Sequence, residues 1–372
     1  MRALIFPTDT GQGHNCAAQA LKEYLDAQGV DALIMDVLDT GKQKSGVIAR
    51  LYDGAVVHTP KLFGALYALG EKISSSERHS PIYYLNALYA RSLHRAIGEL
   101  EPDVIVCPHM FSAHAVTRLK EKYGLCIPTV GIITDYAWSP FWEETRMDLY
   151  VVPLPSVAKE CAARGMDRDK LIPIGIPVSA KFKARVSRED ARAAFGVQGR
   201  KVFAIMGGSM GYGKIPELAE ELTRRMPEAQ VIAVCGRNEA ARKKLARTRN
   251  VLALGYIDNV DVLMDAADVL LTKPGGLSAT EAIYKRTPLV ITMPIPGGEV
   301  RNSAAIVKMG MAISADTVRG AADAACALLN DGEARERMRI AQEHNCSLTA
   351  TEDTGKIIMR IALHGKDGER SL

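Results

Sequence analysis

Residues 270–313, LLTKPGGLSATEAIYKRTPLVITMPIPGGEVRNSAAIVKMGMAI, contain two strand–loop–helix units in succession. The first apolar strand pattern breaks at the Pro-Gly-Gly of residues 274–276, and a helix pattern starts at Ser278 or the residue after it. The second strand pattern, residues 288–293, ends in another glycine-containing loop, residues 296–299. Parallel strands that alternate with helices place such loops at one edge of a sheet, so this stretch predicts a nucleotide site there.

The start of the first of these helices is suited to an anion. Its backbone N–H groups have no partner within the helix, and the positive end of the helix dipole attracts a phosphate. Ser278 and Thr280 are predicted to cap the helix, and Glu281 is predicted to lie in its first turn and to hydrogen-bond a ribose. Two ordinary β–α turns, which also favour Gly and Pro, are the alternative. The residues assigned here to nucleotide binding are Lys273, Gly275, Gly276, Leu277, Ser278, Thr280 and Glu281.

A further glycine-rich loop follows the first strand pattern of the C-terminal half. Residues 207–214, GGSMGYGK, precede a helix pattern that starts at Ile215. A Walker A loop is excluded, because Ile215 stands where that motif requires Ser or Thr after the lysine. The backbone amides of this loop can still lie against a diphosphate.

The N-terminal sequence repeats the strand–turn–helix pattern. The strand RALIFP is followed by the turn TDTGQGH, residues 8–14, and by a helix pattern over residues 15–27. This turn can hold a phosphate, or it can place Asp9 and His14 at the mouth of a cleft. A Rossmann dinucleotide site is disfavoured, because the turn lacks the third glycine of GxGxxG.

Two more polar residues stand at predicted strand ends of the N-terminal half. His109 and Asp135 each follow an apolar strand pattern, where open α/β sheets bind ligands. His109 can equally cap a helix. The string Asp167-Arg168-Asp169 resembles a metal-binding DxD, but it lies in a charged turn that helix capping explains better, so no metal is expected.

Composition limits the class of protein. With 372 residues, 47% of them hydrophobic and 24% charged, the chain is typical of a soluble globular protein with two domains. Its seven cysteines form no CxxC pair, which favours reduced thiols in a cytosolic protein over a disulfide scaffold. No apolar run reaches about 18 residues, so no transmembrane helix is predicted, and the first residues predict a strand rather than a signal peptide. The net charge of +4 favours anionic lipid or phosphate ligands and does not indicate nucleic-acid binding.

Aromatic and basic residues are interleaved between residues 40 and 100. Such a segment suits an enzyme that rests on a membrane and draws in a lipid. An ordinary helical layer with tyrosines in its core is the alternative.

Several motifs together resemble a known family. TKPGGLSATEA followed by PGGEVRN is similar to the donor-sugar signature of family 28 glycosyltransferases with the GT-B fold. The likeness is greatest to the branch that glycosylates diacylglycerol, namely plant monogalactosyldiacylglycerol synthases and bacterial processive diacylglycerol glucosyltransferases. DTGQGHNCAAQAL, TDY followed by Trp142, and KLIPIGIPV resemble further motifs of that branch.

The β/α alternation of both halves predicts an α/β chain, and the resemblance implies the GT-B class: two facing, doubly wound Rossmann-like domains with an interdomain cleft. Residues 1–174 are expected to form an acceptor- and membrane-facing domain, and residues 175–350 a UDP-sugar-binding domain. Residues 351–372 are expected to form a helix that crosses back, with a tail.

The resemblance also implies an inverting transferase that moves a hexose from UDP-glucose or UDP-galactose to diacylglycerol or a similar lipid. Asp9, helped by His14, would take the proton from the attacking hydroxyl, and the amides of residues 276–279 would hold the departing UDP. Glu299 and Asn302 would bind sugar hydroxyls. The other positions assigned to the donor are Gly208, Ser209, Met210, Gly236, Tyr256, Ile257 and Gly298, and those on the acceptor side are Gly11, Gly13, His109 and Asp135.

Two departures from the family pattern leave questions open. Ser139 stands where the family has a histidine, and Gly298 where it usually has a glutamine, so the choice between glucose and galactose stays open. A UDP-GlcNAc transferase acting on a polyprenyl-linked precursor and a non-catalytic UDP-sugar sensor are the alternatives. The expected location is the cytoplasm, at an anionic inner membrane face, with no metal or other cofactor.

Overall fold

A computed structural model describes residues 1–8, 12–36, 70–71, 73–199, 201–294 and 297–369. The chain divides into two compact units: Met1–Ser179 together with Thr349–Leu372, and Ala180–Leu348. Of the aromatic and basic stretch expected to meet a membrane, residues 40–100, about half (residues 40–69 and 72) lies outside the described ranges. Within those ranges, no helix combines the length and the apolar character needed to cross a bilayer.

The first unit is built on a six-stranded parallel sheet. Short runs of Val, Ile, Leu and Ala form its strands, and most of their side chains are buried because helices cover both faces. The strands are β1 (Arg2–Ile5), β2 (Asp31–Ile34), β3 (Val104–Cys107), β4 (Thr129–Ile132), β5 (Leu149–Val152) and β6 (Leu171–Pro173). Their order is β2-β1-β3-β4-β5-β6, so the direction of winding reverses between β1 and β3.

Helices of the first unit cover the sheet and define two cores. They are α1 (Gln12–Ala27), α2 (Pro81–Asn86), α3 (Ala90–Leu100), α4 (Met110–Tyr123) and α5 (Pro155–Ala163). On one face, Leu93 of α3 and Leu119 of α4 pack in the same cluster as Ile105 of the sheet. On the other face, Leu21 of α1 packs in one cluster with Ile5.

The second unit repeats this architecture. Its strands are β7 (Val202–Met206), β8 (Gln230–Val234), β9 (Val251–Leu254), β10 (Val269–Thr272), β11 (Leu289–Thr292) and β12 (Ile313–Ala315). All pairings are parallel, in the order β12-β11-β10-β7-β8-β9. The helices are α6 (Arg188–Ala194), α7 (Ile215–Arg225), α8 (Glu239–Leu245), α9 (Val260–Ala266), α10 (Gly276–Tyr284), α11 (Gly298–Lys308), α12 (Val318–Asn330) and α13 (Gly332–Asn345).

The last helix, α14 (Ala350–Glu369), belongs to the first unit. Its Ile358 and Ala362 are fully buried in the cluster that α1 covers. The contact is close at Gly355, where a Cβ would lie 2.3 Å from the ring of Tyr24, so only glycine fits. The second unit is therefore an insertion in the chain of the first.

Candidate donor and acceptor sites

In the second unit, the loops after β7 and β10 leave neighbouring strands at the point where winding reverses. Met206 at the end of β7 lies opposite Thr272 at the end of β10. The chain continues from β7 towards β8 but from β10 towards β11, on opposite sides. The two connections therefore diverge and leave a crevice, which is where open α/β sheets bind nucleotides.

Helix α10 starts at this crevice with Gly275 as its N-cap, and a glycine has no side chain with which to cap. The predicted caps are wrong: Ser278 and Thr280 lie inside the helix, and Oγ1 of Thr280 donates a 2.6 Å hydrogen bond to the carbonyl of Gly276. All residues of α10 are described, and none in its first turn is acidic. The first amides of α10 therefore remain oriented towards the crevice for an anion.

Glycines let the neighbouring loops approach closely. Gly236 after β8 has φ +53°, and a Cβ there would lie 2.3 Å from the carbonyl oxygen of Ser209. Gly208 after β7 has φ +72°, and its Cβ would lie 3.0 Å from Cε of Lys273. The positive φ would strain a side chain at either position, and at Gly236 a side chain would also collide with the backbone. The loops after β7, β8 and β10 thus form one contiguous surface.

The loop after β11 joins this surface through polar contacts. Nζ of Lys273 lies 2.5 Å from Oε1 of Glu299, which is in the first turn of α11. Nδ2 of Asn302, a residue only 1% exposed, donates to the carbonyl oxygen of Pro274 at 3.3 Å. The structure therefore brings together Lys273, Glu299 and Asn302, three residues that the sequence assigned to the donor site.

Glu281 is almost wholly buried, and burial raises the pKa of its carboxyl group to about 8. The charge of Lys181 opposes this rise, and that of Asp261 adds to it. The prediction that Glu281 lies in the first turn is wrong, because α10 begins two residues earlier than expected and places Glu281 in its second turn. A buried carboxyl group beside a nucleotide crevice remains suited to a ribose.

The remaining donor positions differ in their exposure. Met210 and Tyr256 are 65% and 56% exposed, so their side chains are accessible to a ligand, while Leu277 is buried and can only support α10. Ile257 is half-buried. Gly298 is the first residue of α11.

In the first unit, polar side chains gather where winding reverses between β1 and β3. His14 lies near the start of α1, and its ring meets the ring of His109, which follows β3, edge to face at 4.3 Å. Nδ1 of His14 is 3.0 Å from the carbonyl oxygen of Pro108 and 3.2 Å from Oγ1 of Thr134. Gly13 precedes His14 in α1, and Asp135, which follows Thr134, is half-buried.

These contacts indicate where protons lie on the two rings. A carbonyl oxygen only accepts, so Nδ1 of His14 carries a proton and donates a hydrogen bond to the carbonyl oxygen of Pro108. Nδ1 of His109 accepts from the amide of Phe111 at 3.2 Å, so its proton is on Nε2. His109 therefore caps α4, the second of its two sequence-based roles. Burial, followed by the nearby His14 and His114, holds the pKa of His109 well below its usual value.

Asp9 and Gly11, which the sequence assigned to the catalytic and acceptor sides, lie outside the described residues. Three residues that sequence analysis missed lie in the two sites. Thr134 contacts His14, Lys181 faces Glu281, and Sδ of Met293 accepts from the amide of Lys214 at 3.0 Å. Of these, only Thr134 had a usable signal, since it stands beside Asp135 at a strand end.

Metal-binding groups are not evident. In the part of the chain that the structure describes, no three His, Cys, Asp or Glu side chains converge as a metal site would require. Asp167 of the DxD string caps a short 3₁₀ turn and accepts from the amide of Asp169 at 3.1 Å, as the capping interpretation predicted. The expected independence of metal stays a prediction.

Two family models match the chain in succession. The model described as monogalactosyldiacylglycerol (MGDG) synthase matches residues 14–178, and the model described as the glycosyltransferase family 28 C-terminal domain matches residues 202–316. The chain belongs to the family 28 glycosyltransferases. The MGDG synthase match includes His14, His109 and Asp135, and the family 28 match includes every donor position predicted from the sequence.

This glycosyltransferase is similar to curated and solved proteins. It is 26% identical over 322 residues to the processive diacylglycerol beta-glucosyltransferase of Bacillus cereus (strain G9842), covering 84% of this chain and 81% of the relative. It resembles MurG of Acinetobacter baumannii with a TM-score of 0.62 and 15% identity, over 96% of this chain and 99% of that one. It resembles S. aureus MnaA, solved with UDP, with a TM-score of 0.63 and 13% identity, over 94% of each chain. At these identities the structures show the fold alone, and the predicted GT-B class is confirmed.

Proposed function

We propose that this glycosyltransferase moves a hexose from a UDP-sugar to diacylglycerol or a similar lipid alcohol. The observation that carries the donor half is the start of α10, whose uncapped amides lie beside Lys273 at the crevice of the second unit. Anions bind at such helix starts, and a lysine adds a point charge for phosphate. The lipid half is supported by the relatives named processive diacylglycerol beta-glucosyltransferases.

The transfer forms one bond and breaks another. The acceptor oxygen attacks the anomeric carbon, the bond from that carbon to the diphosphate breaks, and UDP leaves with the electron pair. The amides of α10 and the ammonium of Lys273 stabilise the negative charge on UDP, so neither a metal nor another cofactor is needed. Asp9, helped by His14, takes the proton of the acceptor hydroxyl.

The function is tested by measuring UDP release from radiolabelled UDP-glucose and UDP-galactose with defined liposomes. We expect release, with label in the lipid fraction, only when the liposomes contain diacylglycerol. Transfer only from UDP-GlcNAc to a polyprenyl-linked acceptor would instead favour the second enzyme class. Binding of a UDP-sugar with no transfer to any lipid would identify a sensor.

We also propose that the first unit carries the contact with an anionic membrane. In α2 and the 3₁₀ turn after it, Tyr84, Leu85 and Leu88 are 56%, 40% and 61% exposed. Tyr83 and Tyr89 of the same segment are buried and anchor it. Exposed arginines flank this outer surface in sequence, at positions 78, 91 and 95. Apolar side chains with basic neighbours are the composition of a peripheral membrane surface.

Binding to vesicles should therefore depend on salt and on this outer surface. Each basic residue near an anionic surface contributes about 1 kcal/mol at low salt, so flotation with anionic liposomes should fall sharply as salt rises. The double variant Tyr84→Ser, Leu88→Ser should weaken flotation, because both substitutions remove apolar surface that the membrane would bury. Ile340→Ser is the matched control, since Ile340 is 58% exposed on α13 of the other unit. Equal flotation with neutral and anionic vesicles would contradict the proposal.

A further inference from the structure

Lys273 and Glu299 form an ion pair at the place where the donor's phosphates are proposed to bind. Their charged atoms are 2.5 Å apart, and the side chains are only 25% and 17% exposed. Lys273 follows β10 directly, whereas Glu299 lies in the first turn of α11. The pair therefore joins the two loops that the sequence assigned to the diphosphate and to the sugar.

The ammonium of Lys273 is in an electrostatically unfavourable position for a cation. A Cβ built on Gly275, the N-cap of α10, would lie 3.8 Å from Nζ of Lys273. The start of a helix carries partial positive charge, and α10, described throughout, has no acidic residue in its first turn to offset it. Lys273 therefore needs an anion beside it, and in the structure the carboxylate of Glu299 is that anion.

The backbone around the pair is held independently of it. Asn302, one turn after Glu299 in α11, donates to the carbonyl oxygen of Pro274 at 3.3 Å and is itself buried. Gly208 of the third loop packs against Cε of Lys273. Separating the two charges therefore requires side-chain rotation and leaves the loops in place.

The geometry points to an exchange of partners on donor binding: Lys273 moves from Glu299 to a phosphate oxygen, and the released carboxylate of Glu299 accepts hydrogen bonds from the hydroxyls of the sugar. This inference rests on the proposed function, because it takes the ligand to be a UDP-sugar. Recognition of the hexose then requires the diphosphate, because Glu299 can bind the hexose only after a phosphate has taken its place beside Lys273.

The exchange gives Glu299 opposite effects on two ligands. UDP lacks the transferred hexose, so for UDP the carboxylate of Glu299 only competes with phosphate for Lys273 and weakens binding. For a UDP-sugar this loss of affinity is offset, because the hydroxyls of the hexose donate hydrogen bonds to the released carboxylate. Removing the charge of Glu299 should therefore strengthen the binding of UDP and weaken the binding of the UDP-sugar.

The test is calorimetry on the full chain with UDP and with UDP-glucose, and with UDP-galactose in parallel. Glu299→Gln should bind UDP about threefold to fivefold more tightly, the scale of a partly exposed ion pair. In the same variant, the ratio of the affinity for the better-bound UDP-sugar to the affinity for UDP should fall about tenfold. Asp316→Asn is the matched control: it removes an exposed carboxylate that follows β12 at the same edge of the sheet and is not paired with Lys273.

Each other outcome overturns the exchange. If Glu299→Gln leaves UDP affinity unchanged, Glu299 binds only the hexose. If Glu299→Gln binds both ligands more tightly, the substitution acts only by removing a negative charge. Weaker binding of both with a lower melting temperature would make the pair a structural brace. A wild-type chain that binds neither UDP nor a UDP-sugar would overturn the proposed function as well. If the wild type binds both ligands, any of the outcomes above contradicts only the exchange of partners.

Discussion

Asp9→Asn and His14→Ala are each expected to lower the turnover of sugar transfer by about 100-fold or more, the usual scale for loss of a general base. A lipid hydroxyl is a poor nucleophile while it keeps its proton, so a group in the first unit must accept that proton as the new bond forms. UDP affinity should change little in either variant, because the nucleotide is assigned to the second unit. Turnover and calorimetry on the same preparations check both statements.

The structure gives a specific reason to expect the loss at His14. The carbonyl of Pro108 and the hydroxyl of Thr134 lie within hydrogen-bond distance of its Nδ1, and these contacts orient the ring. Its neighbour His109 stays neutral around pH 7, because burial lowers its pKa, so it does not repel an imidazolium formed on His14. The ring of His109 therefore adds no positive charge beside His14.

The controls distinguish a catalytic base from a residue that only stabilises the structure of its turn. His94→Ala removes an exposed histidine of α3 and should leave turnover unchanged. If Asp9 only braces its turn, Asp9→Asn should lower the melting temperature while the folded fraction keeps near wild-type turnover. If Asp9→Asn stays active and His14→Ala is inactive, the base is His14 and Asp9 has no part in proton transfer.

Glu281→Ala is expected to weaken UDP binding about 30-fold, because an ionised carboxylate that accepts two ribose hydroxyls contributes about 2–3 kcal/mol. The pKa of this carboxyl group is about 8 before the ribose binds. Hydrogen bonds from the ribose favour the ionised form, so UDP binding should release a proton near pH 7, and affinity should rise with pH up to about 8. Glu281→Gln should remove this slope, which calorimetry in buffers of different ionisation enthalpy will measure.

The same pKa predicts a pH dependence of stability. The pKa of the Glu281 carboxyl group rises from the ordinary glutamate value of 4.5 in the unfolded chain to about 8 in the fold, so folding favours its protonated form. Its stabilising contribution is complete below about pH 4.5 and is lost as pH rises through about 8. Between pH 5 and 8.5 the wild type should lose roughly 4 kcal/mol of unfolding free energy that Glu281→Gln keeps, at 1.36 kcal/mol per pH unit.

Thermal unfolding of the two proteins across that range measures the difference. Glu333→Gln, at a side chain that is 91% exposed, is the matched control and should follow the wild type. Parallel melting curves for wild type and Glu281→Gln would show that Glu281 is ionised in the fold, and unchanged UDP affinity in Glu281→Ala would remove its ribose role.

The sequence predicted the fold class well, because both sheets consist of short apolar runs separated by Gly-rich loops and amphipathic helices. The family was predicted from motifs that lie inside those loops. The capping of α10 was predicted wrongly for a physical reason. Rules for helix starts expect a polar side chain to satisfy the first amides, whereas here Gly275 leaves them for a ligand.

Pairwise contacts in the sites were beyond sequence analysis. Lys273 and Glu299 were both assigned to the donor, but their ion pair depends on how two loops fold against each other. The contact of His14 with Pro108 joins residues 94 positions apart, so no local pattern encodes it. The pKa of Glu281 likewise depends on its burial and on the charges of Lys181 and Asp261, which come from other segments.

The return of α14 to the first unit has a consequence for engineering. The amide of Val178 donates to Oγ1 of Thr351 at 2.9 Å, and that hydroxyl donates to the carbonyl of Val178 at 2.7 Å. The two chain segments that flank residues 180–348 are thus hydrogen-bonded to each other within the first unit. Such a pair of adjacent junctions suits the exchange of whole modules, so we expect the first unit to accept a relative's second unit grafted between Ser179 and Thr349.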